Sequence, residues 1–144
     1  MNFFKTPARL IGLGSAVAAI ALTIAQGRAE AADQVETVFE HAIPNAEGKK
    51  VIAVVVTYPP GAKSPPHHHA ASAFIFAYVL SGSIRSQVDA EPIRIYQQGE
   101  SFYEAPGSHH RVSENVSDTM PARLLAVFIV DSRDGPLTVP EDTQ

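Results

Sequence analysis

Beyond residue 32 the apolar positions fall in short runs of β-branched and aromatic residues, with no sustained helical spacing. Such runs predict strands near 34–43, 50–58, 67–70, 73–80, 83–89, 92–96, 101–104, 109–114 and 122–130. They are bounded by turn-forming residues at Pro44-Asn45, Pro59-Pro60-Gly61, Ser81-Gly82, Gly99, Pro106-Gly107, Asn115 and Pro121. Many short antiparallel strands at this spacing imply a sandwich or barrel, in one domain over 32–144. No internal repeat interrupts it, and the last residues, 131–144, are polar with Pro136 and Pro140 and read as a loose tail.

Two of the predicted strands are apolar on both faces. Phe74, Phe76, Tyr78 and Leu80 alternate with Ile75, Ala77 and Val79, and Leu124, Ala126, Phe128 and Val130 alternate with Leu125, Val127 and Ile129. A strand with one wet face would alternate apolar with polar. The outer faces are therefore covered either by another segment of the chain or by a second subunit, and the expectation is a homodimer.

The first residues carry a different pattern. Residues 1–9 hold Lys5 and Arg9 and no acid, residues 10–25 are apolar or small, and Ala29-Glu30-Ala31 offers small residues at an A-x-A site. This layout predicts a secretory signal peptide over residues 1–31, cut after Ala31, and a secreted or periplasmic domain with no stable membrane association after processing. The alternative, an uncleaved anchor, has an apolar run short of the roughly 20 residues that cross a bilayer. Loss of Lys5, Arg9, Arg28 and Glu30 leaves the domain more acidic than the full chain, whose net charge is −4. With no basic patch, nucleic acid is not an expected partner. There is no cysteine, so neither a disulfide nor a thiolate is available.

The candidate chemistry lies in histidine. Five of the six histidines fall in two places, His67-His68-His69 and His109-His110. In a strand, side chains at i and i+2 share a face, so His67 and His69 point together and His68 points away. Their Cα atoms are then about 6.5 Å apart, near enough for both rings to reach one ion at about 2.1 Å. His110 is the expected third ligand, although a shift of one residue would exchange it for His109. His41, on a predicted edge strand, reads as structural. Phe74, Phe76, Tyr78, Phe102 and Tyr103 are either pocket-lining or ordinary core aromatics, and Arg85, Arg94, Arg111 and Arg123 read as surface ion pairs. Glu104, just ahead of the Pro106-Gly107 turn, is the acid best placed to be catalytic, as general base, or to be a ligand.

These residues resemble the cupin family, a double-sheet jelly-roll β-barrel. Gly61, His67-x-His69 and the later Gly82 match its first motif. Gly99, Gly107 and His110 match its second, with the proline and asparagine each displaced by one, to Pro106 and Asn115. Together the motifs span 61–115. One element departs: the position of the family's metal-binding glutamate falls on Ile75, or on Phe74 by a different count, and neither binds a metal. The resemblance thus implies a three-histidine site of His67, His69 and His110. Without a carboxylate it leaves the ion its full +2 charge and favours water, hydroxide or an anionic substrate in the open positions. Glu104, Gln87 or a tyrosine are the candidates for a fourth ligand.

The resemblance implies one divalent transition metal (Fe, Zn, Cu, Ni or Mn) and a small-molecule ligand or substrate. If the protein is an enzyme, the implied chemistry is oxygen-dependent, of the quercetin dioxygenase type. The competing class is a non-catalytic binding module for a small molecule or metal. Sugar-nucleotide epimerisation, which needs a metal-free His–Asp or Tyr acid–base pair, fits the histidine motif less well.

Overall fold

The computed structural model describes residues 32–141, so the signal-peptide expectation for residues 1–31 lies outside the described residues. Eleven strands and no helix make up the described residues: β1 (Gln34–Ala42), β2 (Lys49–Tyr58), β3 (Lys63–Ser64), β4 (His67–His69), β5 (Phe74–Ser81), β6 (Ser83–Val88), β7 (Arg94–Gln97), β8 (Ser101–Glu104), β9 (His109–Asn115), β10 (Ala122–Asp131) and β11 (Thr138–Pro140). They form two antiparallel sheets, one ordered β1-β2-β10-β5-β8 and the other β11-β4-β9-β6-β7 with β3 also on β9. The fold is all-β, a double-sheet jelly roll.

The two sheets bring different chemistry to the space between them. The first supplies the apolar wall: Ile52, Val54 and Val56 from β2, Ile75, Ala77 and Val79 from β5, and Leu124, Ala126, Phe128 and Val130 from β10. The second buries His69, Ser86, His110, Ser113 and Asn115. Polar groups in such a position destabilise the fold unless each finds a partner, so a wall of this kind marks a functional lumen. Burial of the apolar wall, at about 25 cal/mol per Å2, drives the fold that holds the polar one in place.

The strand endings follow local chemistry. Gly82, between β5 and β6, has φ +73°, and a Cβ there would lie 2.9 Å from Ala122 Cβ and 3.0 Å from the Pro121 carbonyl oxygen. Glycine is the residue that takes this conformation without strain and lets β10 begin against the turn. Asn115, at the end of β9, is 6% exposed. Its amide donates to the carbonyls of Tyr58, Pro59 and Met120, and its Oδ1 accepts from Ser117 N–H, so one side chain joins the end of β2 to the β9–β10 loop.

Two features differ from the sequence reading. The C-terminal segment is no loose tail through Glu141: Thr138–Pro140 pairs with His69–His67 as β11, and Ala70 N–H bonds Leu137 O. Polar and proline-containing composition concealed it because an edge strand needs neither alternation nor a full set of donors. The outer face of the first sheet is bare among the described residues. Phe39, Ala53, Val127, Phe76 and Tyr103 stand in one register row across its five strands, and β1 widens the sheet without covering it. Phe39, Phe76 and Tyr103 are exposed by 52%, 42% and 66%. Phe74 and Phe76 therefore belong to neither pocket nor core, while Tyr103, with Phe102, borders a second pocket outside the histidine lumen.

Candidate metal centre

Strand pairing brings the two histidine clusters together. His67 stands opposite His110 and His68 opposite His109 in the β4–β9 ladder. Alternation then sorts the pairs: His67, His69 and His110 share the lumen, while His68 and His109 share the outer face. A bulge decides which member of His109-His110 turns inward. Gln87 pairs with Val112 and Val88 with His110, leaving Arg111 as the extra residue on β9. Ser113 and Asn115 face the lumen, so without the extra residue regular alternation would have aimed His109 inward and His110 out. Bulges commonly re-aim a side chain next to a site in this way.

The ligand atoms of His67, His69 and His110 all lie within 4.8 Å of one another. Two of the rings are pinned by backbone carbonyls: His67 Nδ1 is 2.7 Å from Pro65 O, and His69 Nδ1 is 3.1 Å from Leu137 O. A carbonyl only accepts, so each Nδ1 carries a proton, and in the neutral ring each Nε2 then keeps its lone pair, the arrangement that backbone partners impose on ligating histidines. Burial lowers the pKa of His67 from its usual value, which favours the neutral, ligating form. His110 Nε2 meets Ser86 Oγ at 2.9 Å. A hydroxyl either donates or accepts, so Ser86 suits either tautomer of that ring.

The structure supplies a carboxylate that the motif lacks. Ile75, at the family's glutamate position, pairs directly with Glu104 on the neighbouring strand β8. Side chains opposite each other across an antiparallel ladder start about 5 Å apart, within reach of a glutamate. Glu104 is 3% exposed; its Oε2 lies 3.2 Å from His69 Nε2 and its Oε1 3.2 Å from His110 Nδ1. Burial alone would raise its pKa, but the close imidazoles of His110 and His69 outweigh that and hold it at about 2, so the group is an anion. Glu104 thus borders the three-histidine group on the His69 and His110 side, one strand away from the family's glutamate position. A divalent ion held by the three histidines together with this carboxylate would carry a site charge of +1 instead of +2.

Two atoms of this cluster are buried without a hydrogen-bond partner, His69 Nε2 and Glu104 Oε2. Leaving such atoms unpaired costs roughly 1–3 kcal/mol each. A cation between them would satisfy both, and a set of borderline imidazoles with one hard oxygen suits first-row divalent metals. The residues present thus fit a metal.

The centre opens on a cavity of about 260 Å3 whose wall is mostly apolar and includes Val54, Leu124 and Phe128. Tyr58, also on its lining, hydrogen-bonds Ser113 Oγ at 2.8 Å and Ser64 Oγ at 3.0 Å, and Ser64 donates to Asp33 at 2.6 Å. Burial pushes the Tyr58 phenol above its usual pKa, so it stays protonated. Sequence reasoning missed Tyr58, Ser86 and Ser113, which look like ordinary strand residues. Only the inward alternation of Tyr58 with Val54 and Val56 hinted at its place. Gln87 is not on the cavity lining. Phe102 is partly buried and lies 6.1 Å from the His110 ring. Arg85 pairs with Glu114, and Arg94 lies over the Tyr96 ring, both at the surface.

A family model described as cupin domain matches residues 54–128, just over half the chain. The Schizosaccharomyces pombe Cnp3 cupin domain superposes with a TM-score of 0.56 at 20% identity, covering 69% of this chain and 62% of that one. A Klebsiella pneumoniae subsp. pneumoniae protein with a double-stranded β-helix domain gives 0.59 at 17% identity, over 78% and 89% of the two chains. An oxalate oxidase in complex with the substrate analogue glycolate gives 0.53 at 25% identity, over 62% of this chain and 45% of that one. The chain thus spans less than two thirds of the yeast domain and under half of the oxidase. A search of curated protein sequences found no match.

Proposed function

This chain belongs to the cupin family, and from that premise we propose that His67, His69, His110 and Glu104 hold one divalent transition metal that acts on a small molecule in the lumen. The observation that carries the reading is the pair of buried, unpartnered atoms, His69 Nε2 and Glu104 Oε2, facing each other beside a cavity. The leading function is an oxygen-dependent oxidoreductase. When bound, the metal would supply a Lewis acid with open positions for substrate and oxidant. The oxalate oxidase neighbour, carrying glycolate, supports a small organic acid or hydroxy compound as the substrate class. The cavity, at about 260 Å3, lies just below the roughly 300–1,000 Å3 of small-molecule pockets, which also favours a compact ligand.

The residues of the chain have distinct parts in this reading. Carbonyls at Pro65 and Leu137 orient two imidazoles, Ser86 the third, and the apolar wall excludes water. Glu104 stays anionic and lowers the site charge, a ligand role in place of general base. The protonated Tyr58 phenol, held by Ser64 and Ser113, holds a proton at the cavity wall for a substrate oxygen. The test is metal analysis of the purified protein followed by dioxygen uptake over a panel of small hydroxy and keto acids. Near one lumen metal per chain, lost in His69→Ala, with uptake on any panel member is expected. Metal without turnover on any would favour the binding-module reading, and a metal-free lumen would remove both.

We further propose export and dimerisation. The intact mass of protein recovered from the periplasm should begin at Ala32, and a full-length species held in the membrane fraction would establish an anchor instead. The bare row of Phe39, Phe76 and Tyr103 is proposed to meet the same row of a second copy, because isologous contact covers an apolar face on both partners at once. Light scattering should give a dimer for the native chain and a monomer for Phe76→Asp. A native monomer would show that the face stays uncovered or is covered within the chain.

A further inference from the structure

The outward members of the two histidine clusters form a second constellation, on the opposite side of the β4–β9 ladder from the lumen. The His68 and His109 rings stack at 4.4 Å between centroids. Glu141 meets them both: its Oε1 is 2.9 Å from His109 Nε2 and 3.8 Å from His68 Nε2. One ligand atom from each of the three residues lies within 4.8 Å of the other two. Their positions are fixed by backbone. Asp89, in the left-handed region at φ 50°, donates its N–H to His109 O at 2.8 Å and accepts from His109 N–H through Oδ1 at 2.9 Å. Glu141 N–H bonds Pro66 O at 3.1 Å, immediately after the β11 pairing.

A second observation points to a ligand. His109 is only 9% exposed, and its Nε2 is buried with no hydrogen bond despite the carboxylate 2.9 Å away. The oxygen is close but off the hydrogen-bonding direction of the ring. Two stacked imidazoles that present nitrogen to one carboxylate repel if both are protonated, and the off-direction oxygen leaves the buried Nε2 of His109 unpaired in either state. A cation bound by all three resolves this, at about 2.0–2.1 Å from each nitrogen and 2.0–2.2 Å from the oxygen. His68 and Glu141 are half-exposed, so small rotations bring the atoms to that spacing and leave the fourth position to water.

We infer that His68, His109 and Glu141 form a surface Zn2+ site separate from the lumen. Two imidazoles, a carboxylate and a water are a tetrahedral donor set suited to zinc, which needs no redox partner here. The ion joins β4, β9 and the residue after β11. It thereby clamps the C-terminal strand, next to Leu137, whose carbonyl orients His69. The inference stands independently of any metal in the lumen.

Zn2+ titration of the apoprotein against a chromophoric chelator tests it, with hydrogen exchange of residues 137–141 as a second readout. One Zn2+ equivalent is expected to vanish in His109→Ala, and in the surface variants His68→Ala and Glu141→Gln. That equivalent is expected to persist in His69→Ala/His110→Ala, where the lumen set is broken. Zn2+ should slow exchange of residues 137–141 in the native chain and in the lumen variant but not in Glu141→Gln. If every bound equivalent instead follows His69 and His110, or if His68→Ala and Glu141→Gln leave the stoichiometry and the exchange unchanged, the site does not exist.

Discussion

Glu104→Gln is expected to weaken metal binding in the lumen by at least about 100-fold and to abolish turnover while leaving the fold intact. The carboxylate is buried between His69 and His110, and it removes one of the two charges of a bound ion. At a few ångströms that attraction is worth several kcal/mol even at an effective dielectric of about 20. Glutamine keeps the size of the side chain and one carbonyl acceptor but no charge, so the loss reports electrostatics rather than a cavity. His69→Ala is expected to lose the metal as well, because it removes a ligand whose unpartnered nitrogen faces the site. His68→Ala, on the other face, should keep the lumen ion. Metal analysis after dialysis against a weak chelator, with circular dichroism as the check on folding, separates these outcomes. Full metal content in Glu104→Gln would return the site to three histidines alone.

Asn115→Asp is expected to be the most destabilising isosteric change in the barrel, by roughly 3–5 kcal/mol. The amide nitrogen donates to three carbonyls, of Tyr58, Pro59 and Met120. Aspartate replaces that donor by an anionic oxygen facing the same three oxygens in a buried position. With a urea m-value of about 1–3 kcal/mol/M, the unfolding midpoint should fall by at least about 1 M. Burial among carbonyls raises the folded pKa of the new carboxyl above its unfolded value near 3.9. The deficit is therefore full at neutral pH and shrinks as the pH falls through that raised pKa, when the acid can donate again. Asn115→Ala, which leaves the carbonyls unpaired but adds no charge, should lie between. If Asp is no worse than Ala, the junction of β2 with the β9–β10 loop is not held by amide donation.

The displaced asparagine shows how far motif matching carries. Its position, one residue past the family spacing, looks like a loss until the Arg111 bulge is seen to add a residue within the same strand. The same bulge explains why His110 and not His109 enters the lumen. Ile75 is a parallel case: by motif the acid is missing, whereas across the ladder Glu104 stands directly opposite.

What the chain determines locally is the alternation that sets His67 and His69 on one face, the glycine and proline punctuation that ends the strands, and the apolar runs of β5 and β10. Each depends on residues within a few positions of one another, where backbone geometry dictates side-chain direction. What the tertiary structure decided is the register between distant strands: Glu104 beside Ile75, His110 opposite His67, and the C-terminal β11 against β4. Composition is silent on these because a ladder accepts any side chains that fit its two faces. The register settles only where burying one apolar wall against the other sheet leaves the polar groups within reach of partners.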